Sequence, residues 1–201
     1  GPYWMSLLAA DVRGLMHSLE IERAVLAGLS MGGYVTLAFY RNFPDAVRAM
    51  ILADTRASAD NDDGRARRYK SAEKAEREGS AAIAEEMLQV LLGETTRSTR
   101  PDIVDRVRRM VESNRPEGIA AAQRGMAARP DSSELLYHVP CPSLVISGSE
   151  DTLSPPRLAE ALQWRLPHSQ LKIVEGAGHL PNIERPEEFN AVLIDFIKRL
   201  R

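Results

Sequence analysis

The pentapeptide Gly28-Leu29-Ser30-Met31-Gly32 constrains the fold of this chain more than any other stretch. The four apolar residues before it, 24–27, have the composition of a buried parallel strand. A helical pattern follows over 33–40. A serine on a tight strand-to-helix turn is pushed into the open with its hydroxyl exposed. Flanking glycines suit a turn that is strained and crowded by neighbouring backbone. The helix start places free N–H groups and a positive dipole end beside that hydroxyl. Those are the parts acyl transfer needs. The pattern by itself arises by chance in roughly one chain in fifteen of this length, from ordinary Gly and Ser usage. A glycine-rich turn with an inert serine is the competing account, and the rest of the chain decides.

Residues 47–53 (VRAMILA) read as a second buried strand, parallel to the first through a right-handed crossover. Residues 143–147 (SLVIS) and 170–174 (QLKIV) read as a third and a fourth. Helices are predicted over 4–19, from the Ser154-Pro155-Pro156 start to 166, and over 186–200. In the first, Leu8, Val12, Leu15 and Leu19 share a face. In the last, Phe189, Val192, Leu193, Phe196, Ile197 and Leu200 form one stripe. This alternation defines an α/β fold: a mostly parallel sheet with flanking helices.

Residues 56–130 differ in character. They are rich in Ala, Arg and Glu and contain no strand-like run. About four helices are expected, near 64–78, 81–92, 103–113 and 117–128. Pro101 and Pro116 stand at starts, and Gly79, Gly93 and Asn114 at stops. The expected organisation is a core of 1–55 and 131–201 with a helical cap inserted at 56–130. Leu88, Leu92 and Met110 of the cap are expected to line a substrate pocket with Leu29, Leu153 and Leu180.

Length and composition allow one domain with a real core: 201 residues, 44% apolar, 27% charged. A net charge of -2 gives no pull toward nucleic acid or an anionic membrane surface. Cys141 is the only cysteine, so no internal disulfide can form, and a cytoplasmic setting is expected. No apolar run approaches a membrane span, and a secretory leader is not expected from the residues that open the sequence.

Ser30, Asp151 and His179 each follow the C-terminal end of a predicted strand, at the edge where open α/β sheets build sites. A serine hydroxyl needs a base to become a nucleophile. His179 can supply it near neutral pH. A carboxylate at Asp151 can hold the imidazole tautomer. The competing accounts are that Asp151 caps the next helix and that His179 is a turn residue. Asp54 also ends a strand and is a rival for the acid; Asp151 is preferred. His138 and His168 precede strands, at the wrong edge, and His17 lies near the end of the first helix.

The stretches Gly28 to Gly33, Gly148-Ser149-Glu150-Asp151-Thr152-Leu153-Ser154-Pro155 and Gly176-Ala177-Gly178-His179-Leu180-Pro181, with Glu184-Arg185-Pro186-Glu187 after them, resemble the α/β-hydrolase superfamily. The nearest likeness is to its small cofactor-free esterases and lactonases with a helical cap. The resemblance implies Ser30 as nucleophile, His179 as base, Asp151 as acid and the Met31 N–H as oxyanion donor. It implies a small ester or lactone as substrate, with no cofactor and no metal. The serine sets the chain apart from relatives with an aspartate nucleophile, such as haloalkane dehalogenases. Two alternatives remain: a cofactor-free perhydrolase or acyltransferase using the same residues, and a non-catalytic fragment acting as an assembly module.

The chain also departs from that pattern. Only one helix precedes the nucleophile strand, whereas the family has further strands and a loop supplying a second oxyanion donor. The strand at 24–28 is therefore expected to form an exposed edge. Its cover is expected from a homo-oligomer, strand addition or an N-terminal fragment.

Overall fold

The four apolar runs form four strands of one parallel sheet. The computed structural model describes residues 1–200. The strands are β1 (Ala24–Leu29), β2 (Val47–Ala53), β3 (Ser143–Gly148) and β4 (Ser169–Val174), in the order β1-β2-β3-β4. The register carries Gly28 opposite Leu52, Leu52 opposite Val145 and Val145 opposite Leu171. All four strands therefore end along one edge, and the loops leaving them share it. β2 and β3 are buried almost throughout, which explains their unbroken apolar runs; β1 and β4 are half-exposed edges.

Period-two alternation divides the sheet residues between two cores. Met50, Leu52 and Val145 pack on one face with Leu37, Phe39 and Leu162. Ala49, Ile51, Leu144 and Ile146 pack on the other with Phe189 and Phe196. The helices are α1 (Met5–Ser18), α2 (Met31–Asn42), α3 (Asp62–Leu91), α4 (Glu94–Thr99), α5 (Pro101–Glu112), α6 (Pro116–Ala127), α7 (Pro156–Arg165), α8 (Pro181–Glu184) and α9 (Pro186–Arg199). Residues from α1, α2 and α7 cover the first face, and residues from α9 the second. Among the described residues, no helix is long and apolar enough to cross a membrane.

The insertion between β2 and β3 is helical, as its composition indicates. α3 packs against α5 and α6. Gly79 adopts φ 85°, ψ 174° inside α3 and breaks it near the expected boundary between 64–78 and 81–92. Asn61 caps its start, accepting from the Gly64 N–H at 2.9 Å. α4 and α8 are additions to the predicted elements. The inward face of α1 is a correction. Met5, Ala9 and Met16 are buried, whereas Leu15 and Leu19 are each 59% exposed. α1 packs against α2, and a small residue, Ala9, lies fully buried in that core.

Candidate active site

Ser30 sits between β1 and α2 with φ at 52°, in the left-handed region that side chains rarely adopt. Such a conformation costs on the order of 1–3 kcal/mol, and the surroundings hold it. The Ser30 N–H donates to the Ala53 carbonyl at 2.8 Å. The Ser30 carbonyl accepts from Thr55 Oγ1 at 2.8 Å and from the Gly33 N–H at 3.0 Å. The end of β2 thus pins the turn. A Cβ on Gly28 would come within 2.2 Å of the Gly32 carbonyl oxygen, so only glycine fits there. Gly32 itself faces open space, so crowding explains Gly28 and not Gly32. Met31 opens α2, and its N–H has no intrahelical acceptor.

Asp151 and His179, on the loops that follow β3 and β4, meet each other. His179 Nδ1 lies 2.8 Å from Asp151 Oδ2, and both side chains are buried. The other Asp151 oxygen accepts from the N–H groups of Leu153 and Ser154, at 2.8 and 3.0 Å. These bonds orient the carboxylate from the β3 loop and satisfy it without a cation. An imidazole whose Nδ1 faces a carboxylate carries its proton there, leaving Nε2 free to accept one.

Asp54 completes a cluster. One ligating atom each of Asp54, Asp151 and His179 lies within 4.8 Å of the others, a spacing a metal ion could span. Asp151 and His179 already satisfy one another, so the set fits a hydrogen-bonded acid–base group better than a metal site. Asp54 Oδ1 accepts from the Gly148 N–H at 2.8 Å, while Oδ2 is buried without a partner. Burial, with the charge of Asp151 adding to it, pushes the Asp54 carboxyl up to about 9. Asp54 therefore holds a proton at neutral pH beside the acid that pairs with His179.

Glu184, part of a family-like stretch in the sequence but given no role from it, organises the histidine loop. One of its oxygens accepts from the N–H groups of Gly178 and Leu180, on either side of His179. The other accepts from the Gly93 N–H at 2.8 Å. Its position five residues after His179 is the only sequence cue, since its partners are main-chain groups.

Ser30 and His179 line one cavity of about 370 Å³, with Leu29, Tyr34, Leu153 and Leu180. A larger cavity of about 980 Å³ runs under the helical insertion and includes Met31, Met110 and Leu180. Met87, Leu91 and Met126 border both. Leu88 and Leu92 do not line either cavity. They lie in a buried cluster with Ile103, Val107 and Ile183. The lining positions fall one residue earlier on α3, because the neighbouring face that carries Leu88 packs toward α5 and α8.

A parallel sheet between helix layers, with serine, aspartate and histidine grouped past its strand ends, defines the α/β-hydrolase architecture. The chain belongs to the Alpha/beta hydrolase family, whose model matches residues 3–192. It is 28% identical over 200 residues to 3-oxoadipate enol-lactonase 2 of Acinetobacter baylyi, covering 99% of this chain and 73% of that protein. It is 30% identical over 200 residues to a pimeloyl-[acyl-carrier protein] methyl ester esterase of Neisseria meningitidis, covering 95% of this chain and 75% of that one. Among solved structures, a malate-bound thermophilic esterase from Thermogutta terrifontis superposes with a TM-score of 0.97 at 41% identity, over 100% of this chain and 74% of that one. The enol-lactonase of Burkholderia xenovorans superposes with a TM-score of 0.90 at 29% identity, over 99% and 75%.

Proposed function

We propose that this protein is a serine hydrolase of small carboxylic esters or lactones, working through an acyl-enzyme. The observation that carries the reading is the 2.8 Å His179–Asp151 pair at a cavity wall shared with Ser30 on its strained turn. His179 Nε2 takes the Ser30 proton as Oγ attacks the substrate carbonyl. Asp151 stabilises the imidazolium and does not itself become protonated. The Met31 N–H donates to the developing oxyanion, a type of contact worth about 10²–10³ in rate. The tetrahedral adduct collapses, and the leaving alkoxide takes the proton from His179. Water, deprotonated by His179, then attacks the acyl-serine and releases the acid. Enol-lactonase and esterase relatives support the ester or lactone class. In this reading residues 56–130 are the cap, and Met87, Leu91 and Met126 shape the acyl pocket.

The test is p-nitrophenyl butyrate turnover by wild type and Ser30→Ala. The variant should lose at least about 10³ in kcat, retain its circular dichroism, and resist fluorophosphonate labelling. Turnover and labelling equal to wild type would remove the assignment.

A further inference from the structure

The cavity holding Ser30 and His179 has a charged wall. Arg56, Arg67 and Arg68 stand along it, and Asp60 is the only carboxylate among its lining residues. That carboxylate is already shared. Arg56 and Arg68 pair with it, and Arg129 bonds both of its oxygens at 2.7 and 3.0 Å. Burial alone would push the Asp60 carboxyl up, but hydrogen bonds from Arg129 and Arg68 outweigh it and hold Asp60 ionised. Three guanidinium charges thus meet one carboxylate.

Arg129 is accounted for structurally. It is buried, lies over the Tyr34 ring at 4.1 Å and bonds the Ser58 and Met126 carbonyls. With Asp60 it fastens the loop after β2 to α6, and Arg68 shares that joint through Asp60, Gln123 Oε1 at 3.2 Å and the Met126 sulfur at 3.3 Å. Among the described residues, Arg56 and Arg67 make no hydrogen bond to α6. Arg56 Nε is buried with no acceptor. Arg67 is exposed and enters no salt bridge among the described residues. Like charges gathered on one cavity wall repel one another, and an anion placed among them offsets that cost. The planar guanidinium fork matches a carboxylate.

We propose that the arginine wall binds a carboxylate of the substrate, so that the ester or lactone cleaved at Ser30 carries a second, free acid group. The preferred substrates are then half-esters or lactones derived from dicarboxylic acids. This rests on the serine-hydrolase reading and narrows it. Ser30 and His179 mark the scissile carbonyl, and Arg56, Arg67 and Arg68 hold the distal carboxylate across the cavity.

The test compares the mono-p-nitrophenyl ester of glutaric acid with p-nitrophenyl hexanoate. Wild type should favour the carboxylate ester in kcat/KM by roughly tenfold to a hundredfold, the range of one charge-assisted contact. Arg67→Gln, at an exposed position that tolerates the change, should cut that ratio several-fold, and added salt should lower it too. Glutarate binding to Ser30→Ala by calorimetry gives a readout independent of turnover. It should weaken in the Ser30→Ala/Arg67→Gln double variant and exceed the binding of inorganic phosphate. Equal or better use of the neutral ester by an enzyme whose Ser30 is the nucleophile overturns the inference and spares the serine-hydrolase reading. A ratio unchanged in both Arg67→Gln and Arg56→Gln also overturns it, as does tighter binding of phosphate. Glutarate binding that depends on Arg67, with neither ester turned over, sinks the hydrolase reading and leaves the carboxylate site standing.

Discussion

The main-chain N–H of His179 donates to the carbonyl of Leu91, 3.0 Å away. Leu91 ends α3, and its side chain lines the cavity beside Ser30. The residue proposed to carry the proton is thus fastened to the helical insertion as well as to its own loop. Glu184 doubles the connection, because one carboxylate holds Gly93 of the insertion and both neighbours of His179. Substitutions in this joint should reach catalysis without touching the substrate.

Glu184→Gln tests that joint. The amide keeps one acceptor oxygen and turns an NH₂ donor toward an N–H that loses its partner. A buried unsatisfied donor costs about 1–3 kcal/mol, which lowers Tm by roughly 2–4 °C per kcal/mol in a chain of this size. Turnover should fall with it, mainly through kcat, because His179 shifts while the cavity walls stay. A thermal scan and steady-state kinetics check both effects. Wild-type Tm and kcat together would show that Glu184 holds nothing the reaction needs.

Neighbouring positions on α3 should separate packing from specificity. Leu88 is 2% exposed among Leu92, Ile103 and Val107, so Leu88→Ala opens a cavity and should cost about 2–5 kcal/mol. Met87 is half-buried on both cavity walls. Met87→Ala should cost less stability and shift preference among p-nitrophenyl acetate, butyrate and octanoate toward the longer chains. Urea unfolding and a chain-length series measure the two effects. The opposite pattern, with Leu88→Ala changing specificity and Met87→Ala unfolding, would reverse the orientation of α3.

What the sequence makes legible depends on whether the signal is local. Ser30, Asp151 and His179 can be picked out because each follows the end of a strand, and strand ends show as apolar runs that stop at polar or glycine residues. Gly79 can be read as a break because glycine in a charged helical run has few other uses. Glu184 cannot, since its partners at Gly93, Gly178 and Leu180 are main-chain groups brought together by folding. The α1 face misleads because Leu15 and Leu19 dominate a hydrophobicity count. The residue that packs deepest, Ala9, adds almost nothing to that count. Leu88 and Met87 differ by one step of about 100° around the helix, less than an apolar stripe resolves. Of the pair Asp54 and Asp151, both follow strand ends. Only the geometry separates the one that touches His179 from the one that holds a proton beside it.

That pair carries the last prediction. The Asp54 carboxyl is raised from 3.8 to about 9, first by burial and then by the charge of Asp151, while the Gly148 N–H pulls it down. Between those two values the folded chain keeps a proton that the unfolded chain releases. The stabilising contribution of protonated Asp54 is therefore complete below about pH 4 and is lost as pH rises toward 9. At about 1.36 kcal/mol per pH unit, the loss by pH 7 is at most about 4 kcal/mol. An asparagine side chain at this position has the same shape, can accept from Gly148 and offers an NH₂ where Asp54 holds its proton. Asp54→Asn should therefore match wild type in stability near pH 4 and exceed it increasingly at pH 7 and 8.5. Its kcat at pH 7 should stay near wild type, whereas Asp151→Asn should lose about 10⁴ through the wrong histidine tautomer. Urea denaturation at pH 4, 7 and 8.5 with matched kinetics distinguishes the two acids. Parallel stability curves for wild type and Asp54→Asn would mean that Asp54 is ionised in the folded protein. A larger loss of kcat in Asp54→Asn than in Asp151→Asn would transfer the acid's role to the end of β2.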